Sequence, residues 1–400
     1  MGNRIHMGCR RKSILYILDA KEIFFLYSVL FFSLSRIVKT LPSLQSSTMH
    51  HQIVALDAWH VPIPLDLLQL PAPHSYDLKL CKTKSTSNEE IRDRVKDATI
   101  IAVTITPLDA STLSAAVTPN LRLVVVIASG TDGIDKQQCK ERGIRVLNSP
   151  SANTESVANH AMAMYFACRR RLLTMHHTMF RTDEWKTQGT VTRKMLSKDH
   201  GLPLSCQEEV VGIIGHGAIG QRIAQQCRGL GMTVLIASRK VAASNATEPS
   251  TGTEISNGRT PFTEVLRRSS VIVLCLPRNP ETINMISDDE FRIMSPKAVV
   301  VNVTRGGIVD EHALLRALRG GLIDGCATDV FLTEPSGAGD HWQDGDSPVL
   351  NLSEAEADEV NLLVTPHVAW CASTTIDNYL QTFKQNIENW CAGKLSNVVV

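Results

Sequence analysis

Three stretches late in the sequence each set a chemically able side chain just after a run of apolar, β-branched residues: Val301-Asn-Val-Thr-Arg305, Gly325-Cys-Ala-Thr-Asp-Val-Phe-Leu-Thr-Glu334 and Leu363-Val-Thr-Pro-His367. An arginine offers a planar fork to a carboxylate, and a histidine moves a proton near neutral pH. A glutamate beside that histidine stabilises its charged form and fixes its orientation. Arg305, Glu334 and His367 together would make an acid–base site for a small anionic substrate. Singly, each has a plainer reading: a loop cation, a surface acid of a helix or turn, and a packed histidine. Ligands in open α/β sheets bind outside the carboxyl ends of strands, so a parallel sheet would bring the three together.

Upstream, Val210-Val-Gly-Ile-Ile214 runs into Gly215-His216-Gly217-Ala218-Ile219-Gly220 and then into a helical pattern. A G-x-G-x-x-G between a strand and a helix is a dinucleotide fingerprint. Its first glycine allows the tight turn, the second admits a pyrophosphate to the backbone, and the third lets the helix pack closely. At the end of the next strand, where an acid would hold the ribose diol of NAD, stand Ser238, Arg239 and Lys240. A hydroxyl and two cations suit a 2′-phosphate, so NADP(H) is favoured and NAD(H) is the alternative. A surface loop with two solvated bases is the other reading of these residues.

Short apolar runs that would position such residues recur at Gln52 to Leu56, Thr99 to Val103, Leu121 to Ala128, Val210 to Ile214, Thr233 to Ile236, Val271 to Leu276, Ala298 to Asn302 and Leu362 to Thr365. Helix-patterned stretches alternate with them, which means βαβ units and an α/β fold. Two doubly wound parallel sheets accommodate this many strands better than one. The boundary is expected at Asn148 to Asn153, before a long helical pattern from Glu155 to Met175. Residues 241 to 260 and the acidic stretch Ser353 to Glu359 read as exposed loops.

In order, spacing and flanking residues, these motifs resemble the D-isomer-specific 2-hydroxyacid dehydrogenases over roughly residues 52 to 390. The carriers are Arg305-Gly306, Asp329-Val330 with Glu334 five residues after the Asp, and Thr365-Pro366-His367. Trp370 after His-Val-Ala is most similar to the glycerate dehydrogenase and hydroxypyruvate reductase branch. Ala128 to Asp135 is similar to the family's carboxylate-binding loop, and Asn153 to Ala158, with Thr154, to its hinge beside the nicotinamide. The resemblance implies a Rossmann cofactor domain and a flavodoxin-like substrate domain with a cleft between them. On that pattern residues 1–48 are an extension, 49–154 the substrate domain, 155–366 the NAD(P)-binding domain and 367–400 a return to the substrate domain.

It further implies that Ser129, Gly130, Thr131, Arg305 and Trp370 bind substrate, and that Thr154, Leu276, Pro277, Thr304 and Asp329 line the cofactor, Asp329 at the nicotinamide carboxamide. The implied reaction is reduction of a small 2-keto acid, such as hydroxypyruvate or glyoxylate, or oxidation of the 2-hydroxy acid, with His367 as acid or base and a homodimer as the assembly. A dinucleotide-sensing corepressor is the second reading, since the resemblance extends to such proteins. Two positions depart from the family pattern: Asn159 and Ser270 stand where acids are common.

Composition narrows the partners. The 400 residues are 43% hydrophobic and 20% charged, and 41 basic against 40 acidic side chains leave a net charge of +1. No global field draws in nucleic acid or an anionic membrane. The ten cysteines show no C-x-x-C and no zinc spacing, so no metal is expected and a reducing, cytoplasmic setting is. Residues 1–48 open with basic residues and carry an aromatic-rich run from Ile23 to Leu34. That run falls short of the about 20 residues of a spanning helix. The segment is either dispensable, with Met49 as the working start, or an organelle-targeting or membrane-anchoring signal.

Overall fold

A parallel strand buried on both faces needs apolar side chains at every position. The densest runs, Leu123–Val126 and Val271–Leu274, are wholly buried strands. The computed structural model describes residues 49–198, 201–240, 258–335, 343 and 346–400. The expectations for residues 1–48 and for most of the loop at 241–260 lie outside them. The chain divides into two units, Met1–Met49 and His50–Val400. Only Met49 of the first is described, and apart from that residue both sheets and all their helices belong to the second.

The first sheet holds β1 (Met49–Ala55), β2 (His74–Leu80), β3 (Ile100–Val103), β4 (Leu123–Val126) and β5 (Arg145–Leu147), with α1 (Asn88–Val95) and α2 (Lys136–Arg142) between strands. Its order is β2-β1-β3-β4-β5, the flavodoxin-like arrangement. The long helical pattern breaks in two, α3 (Thr154–Arg169) and α4 (Leu172–Arg181), because Arg171 takes a left-handed backbone (φ 45°) between them. A short α5 (Glu184–Gln188) follows.

The second sheet holds β6 (Val210–Ile214), β7 (Thr233–Ile236), β8 (Val271–Leu274), β9 (Val299–Asn302), β10 (Gly325–Thr328) and β11 (Leu362–Val364). Its order is β11-β10-β9-β8-β6-β7, with every neighbouring pair parallel. A parallel bridge from Ala237 to Thr260 extends the β7 edge. Counted with it, the sheet is a Rossmann sheet with one added strand. Its helices are α6 (Ala218–Gly229), α7 (Phe262–Arg268), α8 (Asp288–Ile293), α9 (Glu311–Gly320) and α10 (Glu354–Glu359). The last corrects the loop expected over Ser353 to Glu359. Ser353 and Glu356 form a capping box, and acids in the first turn suit the helix dipole.

The chain then returns to the first sheet. Helix α11 (Ser373–Cys391) sinks Tyr379, Phe383 and Ile387 into the core beside β1, β3 and β4. The last residues bond to β5, Val399 N–H donating to Val146 O at 2.8 Å.

Helix α3 is pinned across the second sheet by a buried arginine. Arg169 donates to Glu209 at 2.7 Å, to Asp324 at 2.9 Å and to the carbonyls of Ser270 and Lys297. Ser270, one of the departures from the family pattern, joins this network: its hydroxyl bonds Glu209 and accepts from Val210 N–H. Asn159, the other, accepts from Gln226 Nε2 at 2.7 Å and ties α3 to α6. Every described cysteine is free, and no described helix is long and apolar enough to cross a membrane.

Candidate active site

The loop after β11 is held by one carboxylate. Asp329, directly after β10 and fully buried, accepts from Thr365 Oγ1 (2.5 Å), Val368 N–H (2.9 Å) and Ala369 N–H (2.8 Å). Its carbonyl takes His367 N–H at 2.8 Å. Between these anchors His367 sits at φ +52°, a left-handed conformation that a side-chain-bearing residue keeps only where its surroundings over-determine it. Trp370 Nε1 adds a bond to His367 O at 3.0 Å, and the indole packs on His60 with ring centres 4.9 Å apart. In the structure Asp329 holds this loop in place. Its carboxylate is enclosed and bonded to three protein donors.

Glu334, five residues on, reaches back over the same loop. Its Oε1 accepts from Phe331 N–H at 2.9 Å, and its Oε2 lies 2.6 Å from His367 Nδ1. Burial pushes the Glu334 carboxyl up, but the bond to His367 and its charge, with Phe331 N–H and Arg305, outweigh it and leave the pKa below the ordinary 4.5. Glu334 is therefore the ionised partner, and a carboxylate only accepts, so the proton sits on Nδ1. Nε2 is left to exchange a proton with a ligand.

Arg305, in the loop after β9 of the same sheet, is near enough for its charge to act on Glu334. Its Nη1 donates to Thr304 O at 2.6 Å and its Nε to Asp132 at 2.9 Å, in the loop after β4. The guanidinium lies directly over Gly130: a Cβ there would stand 1.8 Å from Nη2. The two loops can approach only because residue 130 has no side chain. Ser129 keeps its hydroxyl internal, its one proton shared between Ser149 O at 2.9 Å and Asn153 Oδ1 at 3.0 Å, so its backbone rather than its hydroxyl is what it offers a ligand.

The glycine loop fits a dinucleotide. Gly215 turns at φ +98° against the Cys275 carbonyl, and a Cβ on Gly220 would meet Gly215 O at 2.1 Å, so helix α6 packs as the fingerprint requires. In front of Gly217 a Cβ would meet nothing within 4 Å, and this residue caps α6 with no side-chain bond. Open space before unpaired helix N–H groups is the cradle a pyrophosphate fills. His216, Ala218 and Ile219 complete the turn, and burial and the nearby Arg259 and Arg228 hold the His216 imidazole below its ordinary pKa. Leu276 lies against Gly215, Pro277 is exposed beside it, and Thr304 is buried behind. Thr154 opens α3, its hydroxyl turned back to Ser151 O.

At the end of β7, Ser238 is half-buried and Arg239 exposed with no ion pair among the described residues. Lys240 departs from the expected set, because its ammonium is held by Glu290 at 2.8 Å and Met285 O at 3.0 Å. The sequence reading missed Arg259, which bonds Ala237 O at 3.2 Å beside the same strand end. It also missed Asp132 as the partner of Arg305, and His160, whose Nε2 lies 3.1 Å from Thr365 Oγ1.

The family model for the NAD binding domain of D-isomer specific 2-hydroxyacid dehydrogenases matches residues 162–369. A glycerate dehydrogenase of Methylorubrum extorquens is 33% identical over 328 residues, 82% of this chain and 92% of that protein. A glyoxylate reductase of Thermococcus gammatolerans is 36% identical over 217 residues, 54% of this chain and 62% of that protein. Among solved structures, an NADPH-dependent glyoxylate/hydroxypyruvate reductase of Sinorhizobium meliloti superposes with TM-score 0.65 at 24% identity, over 88% of this chain and 98% of that one. A D-2-hydroxyisocaproate dehydrogenase does so at 0.63 and 20%, over 87% and 99%. The structural likenesses speak to the two-sheet fold.

If Asp329 clamps the loop, Asp329→Asn, which presents an amide N–H to N–H donors on one side, will loosen it locally. Amide exchange at Val368 and Ala369 should speed by about tenfold or more, corresponding to the roughly 1–3 kcal/mol of an unsatisfied buried group, while β6 and α6 stay protected. Equal protection of the loop in the variant would assign its order to other contacts.

Proposed function

The chain belongs to the D-isomer specific 2-hydroxyacid dehydrogenase family, and on that premise we propose that it interconverts a small 2-keto acid, hydroxypyruvate or glyoxylate, and its 2-hydroxy acid, with NADP(H) preferred to NAD(H). It is an oxidoreductase of 2-hydroxy acids that uses a nicotinamide dinucleotide. The contact that carries the proposal is the 2.6 Å bond from His367 Nδ1 to Glu334, with Arg305 near Glu334 and over Gly130. A dinucleotide-sensing corepressor is not favoured, since the relative matched along 82% of the chain is an enzyme.

Arg305 takes the substrate carboxylate on the N–H groups that Asp132 and Thr304 leave free, and the backbone of Ser129 to Thr131 takes the other oxygen. When bound, the dinucleotide supplies or accepts the hydride. In reduction His367 gives its Nε2 proton to the carbonyl oxygen while Nδ1–H stays on Glu334, whose charge stabilises the imidazolium. In oxidation the neutral imidazole takes that proton back. Trp370 walls the substrate side of the loop. Residues 49–154 with 367–400 serve as the substrate domain and 155–366 as the cofactor domain, supported by the return of α11 to the first sheet.

A homodimer belongs to the same reading. Its support is the exposure of large apolar side chains on α4 and α5, where Leu172, Phe180 and Trp185 are 53%, 79% and 49% exposed. Phe180→Glu with Trp185→Lys should convert the dimer to monomer in light scattering, and a monomeric parent would contradict the dimer.

His367→Asn should lower kcat by about 10² to 10⁴ with cofactor binding nearly intact. Glu334→Gln removes the carboxylate that accepts from Nδ1, so kcat should fall with cofactor binding nearly intact. Unchanged kcat in either variant would remove that residue from the chemistry.

Cofactor preference rests on Ser238, Arg239 and Arg259 around the strand end, with no acid among them. Charge-assisted bonds of about 1.5–3 kcal/mol predict at least about tenfold preference for NADPH in kcat/KM. Arg239→Ala should erode it, and Ser238→Asp with Arg239→Ala should reverse it. Equal use of both cofactors by the parent, insensitive to Arg239→Ala, would exclude the NADP reading.

A further inference from the structure

Three side chains of ligand type meet at the β1–β2 side of the first sheet, on residues that take no part in the cleft: His51 of β1, His74 of β2 and Cys391, the last residue of α11. We propose that His51, His74 and Cys391 bind one divalent cation, zinc before others, which clips the end of α11 to β1 and β2. The expectation of no metal came from spacing along the chain. These residues lie 23 and 340 positions from His51, so no local motif announces them.

The separations approach those of a tetrahedral ion, and because the His51 and His74 rings face each other end to end, 8° from coplanar with centres 5.2 Å apart, each ring must also turn for both lone pairs to meet one ion. His51 Nε2 is 2.9 Å from His74 Nδ1 and 3.9 Å from Cys391 Sγ, and the three ligand atoms all lie within 4.8 Å of one another. Zinc bonds of about 2.0–2.1 Å to nitrogen and about 2.3 Å to sulfur set two nitrogens about 3.3 Å apart and nitrogen and sulfur about 3.5 Å apart. The two His51 separations must each change by about half an ångström or less to meet those values. Two imidazoles and a thiolate suit zinc and copper rather than oxygen-seeking magnesium or calcium, and the fourth position is left to solvent. His74 and Cys391 are half-buried, which gives an ion a way in, while His51 is 4% exposed and holds its place beneath them.

The two kinds of ligand start from opposite protonation states: the imidazole is ready to donate a lone pair, whereas the thiol must first give up its proton to the incoming ion. Burial, followed by His74, Arg122 and His50, holds the His51 imidazole below its ordinary pKa, so it is a neutral donor. Burial, with Glu388, pushes the Cys391 thiol up to about 11. Binding breaks the S–H bond, forms a metal–sulfur bond and releases that proton to solvent. Of the two facing imidazole nitrogens, the one carrying hydrogen passes it to its own ring's other nitrogen, so both present lone pairs and no second proton is lost. Arg122 and His50 oppose the cation and Glu388 attracts it.

The test uses the full chain, stripped with chelator, given zinc chloride and passed through gel filtration before zinc is measured. The parent and the control Cys371→Ser, which removes an exposed thiol, should retain about one zinc per chain. Cys391→Ser should lose at least about nine-tenths of it, with 2-hydroxy acid turnover unchanged. Cobalt(II) should give a thiolate charge-transfer band in the first two proteins and none in the third. His74→Gln should show the same loss and serves if Cys391→Ser does not fold. Zinc retained by Cys391→Ser or His74→Gln at the parent level, or none retained by the parent, would overturn the proposal.

Discussion

The buried carboxylate of Asp329 is the constraint on which the cleft depends. It stands at the end of β10 and holds the loop after β11 by a hydroxyl and two amides, with its own carbonyl on a third amide. A buried charge without partners is severely disfavoured, so the loop cannot leave while the domain stays folded. The left-handed backbone of His367 follows from that anchoring. Glu334 lies in the chain segment that begins with Asp329, so the clamp and the partner of the imidazole are set by one strand end.

The rest of the cleft is assembled by parallel-sheet geometry. The loops after β9, β10 and β11 emerge on one side of the second sheet and bring Arg305, Glu334 and His367 together. The first sheet contributes the loop after β4, where Gly130 lets the guanidinium cross and Asp132 holds it. Helix α3 connects the two sheets, and its register is fixed by Arg169 among Glu209, Asp324 and two carbonyls. Removing either acid would leave a buried guanidinium undercompensated at a cost of about 3–5 kcal/mol.

Features written into contiguous residues were legible. Runs such as Leu123–Val126 and Val271–Leu274 announce buried strands, and the glycine loop announces its own turn. Arg305, Glu334 and His367 were visible because each follows a strand and each residue type suits a role. The partners that arrive from a distance were not legible. Nothing near Asp132 says that it will pair with Arg305, 173 residues away, and nothing near Lys240 says that Glu290 will take its ammonium. The enclosure of Asp329 is likewise a tertiary fact, because its donors come from the loop after the neighbouring strand. The acidic helix α10 was legible in principle, since Ser353 and Glu356 have capping-box spacing, but its charge suggested a loop.

On the proposed reading, a carboxylate held by one oxygen on Arg305 and by the other on the backbone of Ser129 to Thr131, with the carbonyl oxygen on His367, fixes three points of a planar 2-keto acid, so that one of its faces is presented for reduction. Family membership assigns the product of that face as the D isomer. Chiral chromatography of the glycerate formed from hydroxypyruvate and reduced cofactor tests this directly. A site of this geometry yields D-glycerate alone. L-glycerate, a racemic mixture or the absence of turnover would contradict it.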